Sequence, residues 1–164
     1  MTKSNIVLIG MSGCGKSTIG VLLSKALKIS FIDTDLLIQT KTGKFLWQIL
    51  DAEGTDGFKA LESETLCSLN CAYTCIATGG SAVYSHKSME HLKESSVIVY
   101  INTPYDLIEK RISNIKSRGV VIEPGKTLRI LYDERKPLYE KYADITVDGN
   151  LPVEEVVTLI MSHL

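Results

Sequence analysis

Eight consecutive residues near the start of the chain, Gly10-Met11-Ser12-Gly13-Cys14-Gly15-Lys16-Ser17, fit the spacing G-x-x-x-x-G-K-[ST] of a phosphate-binding loop. The residue types dictate the chemistry. Glycines let the main chain curl until successive N–H groups face one anion. The N-terminus of the helix that follows adds partial positive charge at the same point. Lys16 then reaches the β and γ phosphates of a nucleotide, and the Ser17 hydroxyl ligates the Mg²⁺ that bridges them. Gly13, Cys14, Gly15, Lys16, Ser17 and Thr18 are therefore the expected nucleotide contacts, with ATP and Mg²⁺ as the implied ligands. No Asn-Lys-x-Asp motif is present to read guanine.

A second constellation is Phe31-Ile32-Asp33-Thr34-Asp35. Two acids at i and i+2 in extended chain point to the same side, unless the strand is already turning. At the C-terminal edge of a strand both reach the crevice where ligands sit. One can hold a Mg²⁺-bound water, and the other can accept a proton from an attacking hydroxyl. The competing reading is a cap for a helix starting at Leu36. Thr78-Gly79-Gly80-Ser81 allows a ligand close to the backbone, or is a plain tight turn. The four arginines, Arg111, Arg118, Arg129 and Arg135, fall in one segment, while 14 lysines are spread widely. Arg118, in a Gly-flanked loop, could close onto a transferring phosphoryl group. Arg135 follows that loop on a helix, and Arg129 reads as solvated surface.

Alternating strands and helices must position these residues. Ile6 to Ile9 is a continuous apolar run, as in a strand buried on both faces. Lys16 to Leu27 has helical apolar spacing. Further strands are expected at Ile29 to Ile32, Cys75 to Ala77, Val97 to Ile101 and Asp144 to Val147. Helices are expected at Leu36 to Thr42, Phe45 to Leu50, Phe58 to Asn70, Ser88 to Lys93, Thr127 to Lys141 and Val153 to Met161. Thr103-Pro104 opens another that runs to about Asn114, with the hydroxyl as cap. Lys116 to Lys126 reads as a mobile loop. The pattern argues for a parallel sheet covered on both faces.

The chain has 164 residues and a net charge of −1, which fits one domain and disfavours a nucleic-acid partner. The uncharged stretch from Thr65 to Ser85 carries too many polar residues for a membrane span. Cys67, Cys71 and Cys75, spaced four apart, would stack on one side of a helix. They lack the fourth ligand that zinc wants, and read as core residues. The expected setting is the cytoplasm.

Taken together, the motifs resemble the shikimate kinase family over nearly the whole chain. The resemblance rests on Gly10 to Ser17, Phe31-x-Asp33-x-Asp35, Gly54-x-x-Gly57-Phe58-x-x-x-Glu62, Gly79-Gly80, Arg118, and Glu134-Arg135-x-Pro137-Leu138-Tyr139 followed by Ala143-Asp144. It implies an α/β P-loop fold with a five-stranded parallel sheet in the order 2-3-1-4-5. It implies a single kinase domain over 1–164, with a lid at about 114–126 and a substrate-binding region at about 34–62. The implied activity is phosphorylation of the 3-hydroxyl of shikimate by ATP, in aromatic amino-acid biosynthesis. Residue by residue, Asp33 would hold the Mg²⁺ shell with Ser17. Asp35 would bind the acceptor hydroxyls and take the proton, with Lys16 and Arg118 as its catalytic partners. Gly79, Gly80 and Ser81 would line the acid's pocket, Arg135 would pair with its carboxylate, and Arg111 and Pro152 would flank adenine. The expected partner is this small molecule, with neither nucleic acid nor membrane, and the expected state is a monomer. Three positions depart from the family pattern. Lys59 replaces an arginine and loses its planar fork. Ser81 replaces a glycine, where a side chain narrows the pocket or adds a hydrogen bond. Arg118-Gly119-Val120-Val121 replaces Arg-Pro-Leu-Leu. The alternatives are a kinase of another hydroxy acid such as gluconate, or a nucleotide-binding protein that has lost turnover.

Overall fold

The computed structural model describes residues 3–112 and 120–164. Five strands form one sheet: β1 (Asn5–Ile9), β2 (Ser30–Asp33), β3 (Thr74–Ala77), β4 (Ser96–Asn102) and β5 (Ile145–Asp148). All neighbours are parallel, in the expected order β2-β3-β1-β4-β5. The central strand is apolar after Asn5 because both of its faces are covered. Every residue of β1 is buried, and Val7, Leu8 and Ile9 have no exposed surface. Helices α1 (Lys16–Leu27) and α7 (Val153–His163) pack together against one face. Helices α3 (Leu46–Cys67), α4 (His86–Ser95) and α6 (Leu128–Tyr142) cover the other, with α5 (Tyr105–Arg111) against α6.

α2 (Thr34–Thr42) and the first half of α3 stand beside the sheet and have a small core of their own. Ile38, Leu46, Ile49 and Phe58 form it, and Val121 closes it from the second half of the expected lid. Val120, next to it, is buried in the main core. The region expected to bind substrate is thus clamped to residues 120–121 by apolar contact.

Several local expectations change on contact with tertiary structure. The helices expected at Phe45 to Leu50 and Phe58 to Asn70 are indeed separated by a break at Gly54, whose φ is 70°, and together they span α3. That helix ends at Cys67, so Cys67, Cys71 and Cys75 do not stack: they lie at the end of α3, in the following turn and on β3. Thr103 does not cap α5. Pro104 occupies the cap position, its carbonyl accepting from the N–H groups of Leu107 and Ile108, and the Thr103 hydroxyl is buried without a partner among the described residues. Thr127 does cap α6, accepting from Ile130 N–H. No helix among the described residues is long and apolar enough to cross a membrane, and the Thr65 to Ser85 stretch is split between α3, β3 and a 3-10 turn at Ala82–Tyr84.

Candidate active site

The phosphate loop leaves the C-terminal end of β1 and enters α1, the place where parallel sheets bind ligands. Gly15, at φ 98°, makes the left-handed step from loop into helix, a conformation that a side chain would strain. The Lys16 ammonium is buried and donates to the carbonyls of Gly10 (2.7 Å) and Met11 (2.9 Å), which bracket the loop. These bonds hold the one cation of the loop over its centre.

Asp33 and Asp35 are not two side chains of one strand. β2 ends at Asp33, and Asp35 already lies in the first turn of α2. The turn gives Asp33 both of the readings that its sequence context left open. Its Oδ1 caps α2 by accepting from the N–H groups of Asp35 (3.0 Å) and Leu36 (3.3 Å). Its Oδ2 accepts from the Ser17 hydroxyl at 2.5 Å. Such a cap is worth about 1 kcal/mol, so the carboxylate is held in place by the fold itself. Ser17 and Asp33 together make a hard, all-oxygen pair of the kind Mg²⁺ takes.

Asp35 lines the same cleft of about 630 Å³ as Gly13, Cys14, Gly15, Lys16, Ser17 and Thr18, and Gly79, Gly80 and Arg111 line it too. Burial, and then the neighbouring Asp33 charge, push the Asp35 carboxyl up to about 6, with Lys16 opposing them. Arg111, the last residue of α5, donates to Gly13 O at 3.3 Å. Leu151 and Val153 line the cleft on either side of Pro152, whose carbonyl caps α7 by accepting from Glu155 and Val156 N–H. Arg118 lies outside the described residues, as does the first part of the expected lid.

The expected acceptor side lies on α3, the Gly79-Gly80 turn and α6. Arg135 is almost wholly buried: it donates to Val121 O at 2.9 Å and to the Tyr84 hydroxyl at 3.4 Å, against the Tyr84 ring. A Cβ placed on Gly80 would come to 2.8 Å from the Arg135 guanidinium, so glycine there lets the backbone sit against the arginine. Lys59 does not enter the main cleft. It pairs with Glu123 at 2.9 Å and lies over the Tyr84 ring, beside a second cavity of about 210 Å³ that Ser81 also lines. Ser81 adds a hydrogen bond: its hydroxyl donates to the buried Glu62. Glu62 was part of a sequence motif without a role. Its signal was position, three residues after Lys59 and four after Phe58, which sets a carboxylate on the buried face of α3.

Comparison with known proteins matches this arrangement closely. The family model for shikimate kinase covers residues 12–164. A shikimate kinase of Clostridium botulinum (strain Alaska E43) is 40% identical over 98% of this chain and 99% of its own length. The chain belongs to the shikimate kinase family. Shikimate kinase 2 of an Enterobacter species is 33% identical over 97% of this chain and 94% of its own. Among solved structures, shikimate kinase from Acinetobacter baumannii, determined in complex with shikimate, superposes with a TM-score of 0.86 at 32% identity, covering 99% of this chain and 95% of that one. Membership explains the strand order and the loop. The departures from the family pattern, Lys59 and Ser81, are each accounted for by a partner in this chain: Glu123 for the first and Glu62 for the second.

Proposed function

We infer that this chain transfers the γ-phosphoryl group of ATP to the 3-hydroxyl of shikimate. The carrying observation is that Lys16 of the phosphate loop and the carboxyl of Asp35 open into one cleft, with the Gly79-Gly80 turn between them and Arg135. Family membership supports both substrates.

The phosphate-loop N–H groups and Lys16 hold the β and γ phosphates, and Arg111 with Pro152 flanks the adenine. Ser17 and Asp33 would hold Mg²⁺, which neutralises charge on the phosphates when bound. Asp35 orients the acceptor hydroxyl and takes its proton as the oxygen attacks; a carboxyl raised to about 6 is a better base than an ordinary aspartate and is still ionised at neutral pH. Arg135 takes the acid's carboxylate, with Lys59 as a second cation near it. Gly79, Gly80 and Ser81 shape the pocket, and Arg118 covers the phosphates from the lid. Catalysis is then alignment and charge stabilisation. One chain supplies all of these groups, so a monomer suffices, and the four free thiols suit the cytoplasm.

The test is a steady-state assay of ADP release with ATP, Mg²⁺ and shikimate, quinate or gluconate. Shikimate is expected to be turned over with the highest kcat/KM. Preference for gluconate would reassign the acceptor, and tight ATP binding without transfer to any of the acids would remove the catalytic reading.

A further inference from the structure

Half of the Glu62 carboxyl has no assigned partner. The residue is 2% exposed, and its Oε2 accepts the Ser81 hydrogen bond. Its Oε1 is sealed from solvent and has no hydrogen-bond partner among the described residues. Gly79 shows where that oxygen points. A methyl group at Gly79 would collide with Glu62 Oε1 and come to 3.0 Å from Asp35 Oδ1. The two carboxyls therefore converge on the Gly79 backbone, in the part of the cleft assigned above to the acceptor. Lys59, on the same helix, is engaged with Glu123 instead. The charged groups that face Glu62 are Asp35 of α2, Lys16 of the phosphate loop and Arg135 of α6. Arg135 is the alternative partner: a glutamate released from Ser81 can swing towards that guanidinium and occupy the cation expected to take the acceptor's carboxylate.

We propose that Ser81 is a positioning residue of the acceptor site, its hydroxyl fixing the Glu62 carboxyl towards Gly79 and Asp35 and so keeping Arg135 free for the acid. The proposal rests on the reading of the cleft as a shikimate site. It makes Ser81 a determinant of acceptor affinity and leaves nucleotide affinity untouched, because neither Ser81 nor Glu62 contacts the phosphate loop through a hydrogen bond.

Ser81→Ala is expected to raise the KM for shikimate about tenfold, the size of one lost hydrogen bond to a charged group, with the KM for ATP unchanged. Ser81→Thr keeps the hydroxyl and has the adjoining cavity for its methyl, so it restores the shikimate KM. In a Glu62→Gln background, Ser81→Ala adds less than it does in the unaltered chain, since a neutral amide oxygen replaces the charged acceptor of its hydrogen bond. An unchanged shikimate KM, an equal rise in both KM values, or an undiminished effect in the Glu62→Gln background overturns the proposal. Should the alanine variant not fold, Ser81→Cys, with a weak donor of similar size, takes its place and gives an intermediate KM. Failure of the functional reading is seen separately, as absence of shikimate turnover by the unaltered chain. In that event a carbon-13 NMR titration of the Glu62 carboxyl decides: loss of the Ser81 hydroxyl moves its midpoint upward by about one pH unit, and no movement overturns the proposal.

Discussion

Replacing Glu62 by glutamine should change how stability depends on pH. In the folded chain the Glu62 carboxyl is raised from 4.5 to about 7, chiefly by burial, with the Ser81 hydrogen bond working against the rise and the Asp35 charge adding to it. The folded state thus binds this proton more tightly than the unfolded state does. Between pH 4.5 and 7 the unfolded chain carries fewer protons at this site, so stability falls as pH rises. The contribution is complete below pH 4.5 and gone above pH 7. At 1.36 kcal/mol per pH unit the interval amounts to about 3 kcal/mol. Glutamine keeps the shape and cannot titrate. Any constant cost of burying its amide is the same at every pH and drops out of the comparison. The stability of Glu62→Gln relative to the unaltered chain should therefore improve by about 3 kcal/mol between pH 4.5 and pH 8, or about 2–4 °C in Tm for each kcal/mol in a chain of this size. Urea unfolding at half-unit pH steps, with the slope m checked for constancy, measures the difference. Parallel pH profiles for the two proteins would show that Glu62 is not a strained, buried acid.

Asp35→Asn should lower kcat by about 10²- to 10⁴-fold, the range for losing a general base, and leave ATP affinity unchanged in a fluorescent-nucleotide titration. Loss of ATP binding would instead tie Asp35 to the nucleotide. Arg135→Lys keeps the charge and loses the fork, so the shikimate KM should rise about tenfold or more; an unchanged value would take the acid's carboxylate away from Arg135. Glu123→Gln should lower the shikimate KM by severalfold in low salt, because Glu123, held near 2 by Lys126 and Lys59, competes with the acid for the Lys59 ammonium. A KM independent of this change would leave Lys59 outside the acceptor site.

What the sequence makes legible is what is local. Gly10 to Ser17 declares its loop because spacing alone sets the backbone, and Ile6 to Ile9 declares its strand because both of its sides are buried. The strand order followed from the family resemblance. The sequence is harder to read where the chain turns out of an element and where the partner is distant. For Asp33 and Asp35 the sequence leaves a strand reading and a cap reading open; the cap that Asp33 supplies starts the helix one residue later and turns Asp35 into the cleft. The cysteine spacing suited a helix, but α3 stops at Cys67 to let the chain turn into β3. Lys59 could be recognised as a cation, yet nothing nearby says that Glu123, on a segment packed through Val121 against α3, takes its charge. Glu62 was hidden by its type: a glutamate in a helix reads as surface until Ser81 and Gly79 are seen against it.

The buried charges of the described chain are Lys16, Glu62 and Arg135, and both cations lie near enough to Glu62 to act on its charge. An isolated buried charge is expensive, and each of these has acquired a protein partner: two loop carbonyls for Lys16, Ser81 for Glu62, and the Val121 carbonyl with Tyr84 for Arg135. A phosphate that takes Lys16 must therefore compete with hydrogen bonds already made, whereas Arg135 uses two of its five N–H donors among the described residues and can take an acid while keeping both. The gain on binding is the difference between a charge-assisted bond to an anion and one to a neutral carbonyl, not the whole of the new bond. Such exchange keeps the empty and filled sites close in energy, and it makes geometry the main source of discrimination. A ligand that cannot place its anion where the carbonyl was leaves a buried cation short of a partner. That penalty falls on a misplaced phosphate and spares one that fits the loop.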